Sequence, residues 1–107
     1  MVARSARVRD LPGLARRAEL AAGETYVVVE QSPALTSDRH ERLRPGLNHL
    51  AFHAGSRERV DELVKEAVAY GWTLMFPDRH PYAGGDTHYA AYLENEDGFE
   101  VELVAAS

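Results

Sequence analysis

Two stretches of the chain carry the two-residue period of a strand. The first is Leu47-Asn48-His49-Leu50-Ala51-Phe52-His53 and the second is Phe99-Glu100-Val101-Glu102-Leu103-Val104. Alternate residues of a strand share a face. Leu50 and Phe52 therefore fall on one face, with His49, Ala51 and His53 on the other. Phe99, Val101 and Leu103 likewise oppose Glu100 and Glu102. Between these strands lies a helical period. Ser56 is a good N-cap and Glu58 stands in the first turn. Val60, Leu63, Val64, Ala67 and Val68 form an apolar stripe, and Gly71 is placed as a C′ glycine.

Trp72 to Phe76 reads as a strand, and Pro77 to Thr87 as a loop rich in proline and glycine. His88 to Glu94 alternates again, with Tyr89, Ala91 and Leu93 on one side and His88 and Tyr92 on the other. Asn95-Glu96-Asp97-Gly98 is a hairpin signal. Residues 47–104 thus form one unit ordered strand, helix, strand, strand, strand. Glu24 to Gln31 predicts a further strand and 32–46 a loop. Residues 11–22 predict a helix with Leu11, Leu14, Ala15 and Ala18 on one side, its start weakened by Pro12 and Gly13.

At 107 residues, 45% of them hydrophobic, the chain is one domain at most, of α+β class. No apolar run is long enough to cross a bilayer, and no secretory leader is visible. Cysteine is absent, which removes thiol catalysis and disulfides and suits a cytoplasmic protein. The net charge is −5. Residues 1–20 carry five arginines against Asp10 and Glu19, or +3, so the remainder carries −8. An acidic body argues against nucleic acid as a partner.

If the apolar faces cover a core, His49 and Glu102 face an open sheet surface. An imidazole and a carboxylate there are the chemistry of a divalent-metal site. The plainer readings are a structural strand histidine and a solvated carboxylate. Glu100 reads as a solvated rim charge and His53 as a strand-end surface histidine. His88 and Tyr92 are candidate catalytic groups or a polar cavity wall. The 78–85 loop is a lid with Arg79 as an anion holder, or a long hairpin connection. Gly84-Gly85 is followed by a strand and so is not a phosphate loop.

Gly46 to Phe52, the 56–71 helix and Asp97 to Leu103 together resemble the vicinal oxygen chelate superfamily of glyoxalases, bleomycin-resistance proteins and extradiol dioxygenases. The resemblance implies a βαβββ module at 47–104 and a shortened first module, of which 24–46 is a remnant, within a single domain over 1–107. It implies metal ligation by His49, Glu102 and Glu30, with no match for the first-module first-strand ligand. The implied ion is divalent (Fe, Mn, Zn or Ni). The implied activity is metal-dependent lyase or oxygenase chemistry on a small oxygenated molecule. The alternatives are a metal-free sequestration protein and an inactive truncated member. A half-built cavity exposes sheet edges and apolar surface, so a homodimer is expected.

Overall fold

The structure is a computed structural model that describes residues 5–11, 15–22 and 24–106. The chain divides into two compact units, residues 1–38 and 39–107. In the first unit β1 (Ser5–Leu11), β2 (Ala15–Ala22) and β3 (Thr25–Gln31) form an antiparallel sheet in that order. The helix expected over 11–22 is therefore corrected to strand at Leu11 and at Ala15–Ala22, and residues 12–14 lie outside the described residues. Its ladder runs from Ala15 opposite Leu11 to Ala21 opposite Ser5 on one side, and from Arg16 opposite Gln31 on the other. Short apolar runs are ambiguous between helix and strand. Here two continuous ladders satisfy the β2 backbone, and a local periodicity of four residues cannot outweigh them.

The second unit contains β4 (His49–Gly55), α1 (Arg57–Ala69), β5 (Thr73–Leu74), β6 (Ala90–Glu94) and β7 (Glu100–Ala105). Its sheet has the order β4-β7-β6-β5. The β4–β7 pair is parallel, and the β7–β6 and β6–β5 pairs are antiparallel. The chain's α+β class and βαβββ order are those read from its pattern. Boundaries move at several elements. β4 begins at His49, β5 shortens to two residues, and β6 begins at Ala90, so His88 and Tyr89 belong to the preceding loop.

Helix α1 is stopped at both ends by its own sequence. Ser56 is the N-cap, and its hydroxyl accepts from the Arg59 amide at 3.0 Å. At the other end Gly71 adopts φ +95°. The Gly71 amide donates to Val68 and the Trp72 amide to Ala67, which is a Schellman closure. Val60 is fully buried with Ala54, Ala91, Leu93 and Leu103 among the core residues. This packing commits one face of the sheet to the core. The opposite face of β4, β7 and β6 then carries the polar side chains.

Candidate functional site

The ladder register sets two rows with polar side chains next to each other on that face. Glu102 lies opposite Ala51 on β4 and Tyr92 on β6, and Glu100 lies opposite His49 and Glu94. Side chains of neighbouring rows lie within reach of one another. His49 spans the offset, with its Nε2 2.9 Å from Glu102 Oε1. His88, just before β6, places its Nε2 2.6 Å from Glu102 Oε2. One carboxylate, only 8% exposed, thus lies between two imidazoles. Tyr92 packs edge-on against His49 at 6.1 Å and against Phe76 at 5.8 Å.

The state of Glu102 follows from competing terms. Burial alone would raise its carboxyl, but hydrogen bonds and charge from His88 and His49 more than offset this. The net effect holds it below its ordinary value, so it is a carboxylate at neutral pH. Burial and the neighbouring Glu102 and Glu100 charges push the Tyr92 phenol up, so Tyr92 keeps its proton.

The tautomer of His49 is legible from its other side. The Asn48 Nδ2 donates to the Arg42 carbonyl at 3.2 Å, which turns Asn48 Oδ1 toward His49. His49 Nδ1 lies 2.7 Å from that oxygen and must donate to it. A ring protonated at both nitrogens donates from Nε2 to Glu102 Oε1, which is the contact that lowers the carboxyl. A neutral ring protonated at Nδ1 leaves Nε2 open as a ligand atom beside the carboxylate. Metal-binding histidines are oriented in this way, by donating the far ring N–H to an oxygen.

The donors fit a borderline divalent ion in kind, since imidazole nitrogen and carboxylate oxygen are its usual ligands. In number they form a part-site. Among the described residues no group of three or more His, Asp or Glu side chains is arranged to hold a metal. His49 and His88 reach different oxygens of Glu102. Glu30, the third expected ligand, belongs to the other unit, where it is an exposed residue of β3 opposite Arg17.

Two expectations change. Glu100 is not a solvated rim charge: it is 6% exposed, with Oε1 3.3 Å from Arg42 Nε. The 39–48 segment brings Arg42 there because it is fastened to the β6–β7 turn. His40 stacks on Phe99 at 4.7 Å, and its amide donates to the Asp97 carbonyl at 2.7 Å. Arg79 in the 78–85 loop lies over the Phe76 ring at 4.9 Å. Asn48 and Arg42 were not singled out from the sequence. The only available signal was the position of Asn48 beside a candidate ligand.

That loop is seated closely on the site. A Cβ at Gly84 would overlap Tyr92 Oη and lie 2.8 Å from His88 Cδ2, so any larger residue there must displace these two side chains. Phe76 turns the chain into the loop at φ +53°, an uncommon conformation for an aromatic residue. Its carbonyl accepts from the Arg79 and His80 amides at 3.0 and 2.9 Å.

No family model matches the chain. Over 84 residues it is 49% identical to the uncharacterized protein YqjT of Bacillus subtilis strain 168, covering 77% of this chain and 65% of that one. The chain thus spans just under two thirds of that relative's length. A crystal structure of a "putative glyoxalase" from Bacillus halodurans superposes with a TM-score of 0.75 at 38% identity. It covers 95% of this chain and 76% of its own. A glyoxylase/bleomycin resistance protein/dioxygenase domain from Frankia sp. EAN1pec shares the fold at 19% identity and TM-score 0.68, with coverage of 95% and 77%.

Proposed function

The chain belongs to the vicinal oxygen chelate superfamily, the glyoxalase/bleomycin resistance/dioxygenase group, and we propose that it is a divalent-metal-dependent enzyme acting on a small oxygenated molecule. The observation that carries this reading is the aim of His49. Its Nδ1 lies 2.7 Å from Asn48 Oδ1, and its Nε2 lies 2.9 Å from an oxygen of the buried Glu102 carboxylate. His49 and Glu102 would hold the ion, with water or further donors completing its shell. A bound divalent ion supplies Lewis-acid polarisation of adjacent substrate oxygens.

The remaining groups have roles set by their contacts. His88 holds Glu102 Oε2 and so orients the carboxylate, and its imidazole is placed to take or return a proton beside the substrate. Tyr92, protonated and edge-on to His49, is a hydrogen-bond donor at the same surface. Gly84 brings the 78–85 loop against His88 and Tyr92.

A second reading is metal-free binding of a small molecule. It is favoured by the part-site, since the described residues lack a three-donor group. Metal analysis of protein purified without chelator separates the two. The enzyme reading expects a first-row divalent ion in the unmodified protein and little in His49→Ala. Equal content in both variants contradicts it. The Glu30 role is tested the same way, by whether Glu30→Gln weakens retention.

A further inference from the structure

A second set of cationic and hydrogen-bonding groups stands one row from the proposed metal position. A cavity of about 490 Å³ is lined by His53, Arg57, Thr87, His88 and Tyr89, with Val104 among its apolar walls. Its place follows from register. His53 is opposite Val104 and Val104 is opposite Ala90, so this row lies two residues along the strands from Ala51, Glu102 and Tyr92. His88 belongs to both places, since it lines the cavity and bonds Glu102.

Arg57 is the group without an assigned use. Among the described residues no carboxylate lies within ion-pair distance of its guanidinium, although the second unit is rich in Asp and Glu. It instead lies over the Tyr89 ring at 4.9 Å. Tyr89 is itself anchored, donating its hydroxyl to Asp61 Oδ1 at 2.7 Å. That bond, then burial, raises the Tyr89 phenol, so the ring stays neutral under the guanidinium. An arginine resting on an anchored ring at the cavity wall has less freedom to lose when it meets an anion there. His53 and Thr87 add hydrogen-bonding groups, and Val104 adds an apolar floor.

We propose that this cavity is an anion subsite, and that the substrate carries a carboxylate or phosphate group at the end remote from its paired oxygens. Arg57 receives the anion, with His53 and Thr87 as supporting donors. Two residues along a strand advance roughly 7 Å. The Val104 row and the Glu102 row are that far apart along the sheet. The proposal rests on the metal reading for the oxygen end only; the anion end depends on Arg57.

The test uses 3,4-dihydroxybenzoate and its neutral isostere 3,4-dihydroxybenzamide, titrated calorimetrically with Mn(II) and separately with EDTA. The acid is expected to bind roughly tenfold or more tightly than the amide, as a charge-assisted contact requires. Arg57→Gln should remove that preference, and Arg57→Lys should keep part of it. Arg57 is exposed at the helix start, so both variants keep the fold. An acid preference that depends on Arg57 with EDTA but shows no Mn(II) effect supports the anion subsite and contradicts the metal reading. Equal affinity for acid and amide, a preference surviving in Arg57→Gln, or no binding of the acid overturns the proposal.

Discussion

His88 Nε2 and Glu102 Oε2 meet at 2.6 Å across the β6–β7 pair, while the other oxygen of the same carboxylate meets His49. Glu102 is therefore oriented from both sides, and removing either imidazole frees one oxygen. His88→Gln keeps a hydrogen-bonding side chain but removes the imidazole. It is expected to weaken divalent-ion binding about 10- to 100-fold, the usual cost of a lost orienting partner. Unchanged affinity would show that His88 does not set the carboxylate.

The same contacts predict an acid limb of stability. Glu102 is held below its ordinary value of 4.5 in the folded chain. The unfolded chain then binds the proton more readily, so this contribution is fully present above pH 4.5 and is lost as pH falls through the lower folded value. Denaturant midpoints over that acid range should fall more steeply for the unmodified protein than for Glu102→Gln. Parallel profiles would contradict the account.

Gly98 tests the fastening of the 39–48 segment. It adopts φ +86°, and a Cβ there would overlap the His40 carbonyl and stand 3.1 Å from Arg39 Nε. The carbonyl is backbone and cannot swing aside. Gly98→Ala is expected to destabilise by about 1–3 kcal/mol. It should also loosen Arg42 from Glu100, leaving a buried carboxylate without its cation. A chemical-denaturation midpoint equal to that of the unmodified protein would rule this out.

Gly84→Ala is expected to act on the site more than on the fold. The added methyl meets the ends of the Tyr92 and His88 side chains, which can shift, and Gly84 itself is exposed. Stability should change by under about 1 kcal/mol, while the His88 ring signals move in a proton–nitrogen correlation spectrum. Unmoved His88 signals would show that the loop does not sit on the site as described.

The second unit was legible because its signals are local. Alternation marks β4 and β7, helical spacing marks α1, and Ser56 and Gly71 mark its ends. His49 and Glu102 could be placed together because period-two alternation and the family resemblance agree. What was missed is long-range. Arg42 reaches Glu100 across 58 positions, and only the folded 39–48 segment joins them. His88 was read as a cavity-wall or catalytic group, but no spacing rule shows that its ring grips Glu102 fourteen residues on. In the first unit, Leu11, Leu14, Ala15 and Ala18 mimic a helical stripe. Pairing of β2 with β1 and β3 decides the structure there, and pairing is invisible in a single segment.

His49 Nε2 and the Glu102 carboxylate would be the two protein ligands of the proposed divalent ion. The most direct test is calorimetric titration of Zn(II) near pH 6, in two buffers of different ionisation enthalpy, into the unmodified protein, His49→Ala and His53→Ala. The account predicts saturable binding with proton release by the unmodified protein and by His53→Ala, and none by His49→Ala. Equal binding by all three would remove His49 from the metal role. Absence of binding by the unmodified protein would contradict the metal reading itself.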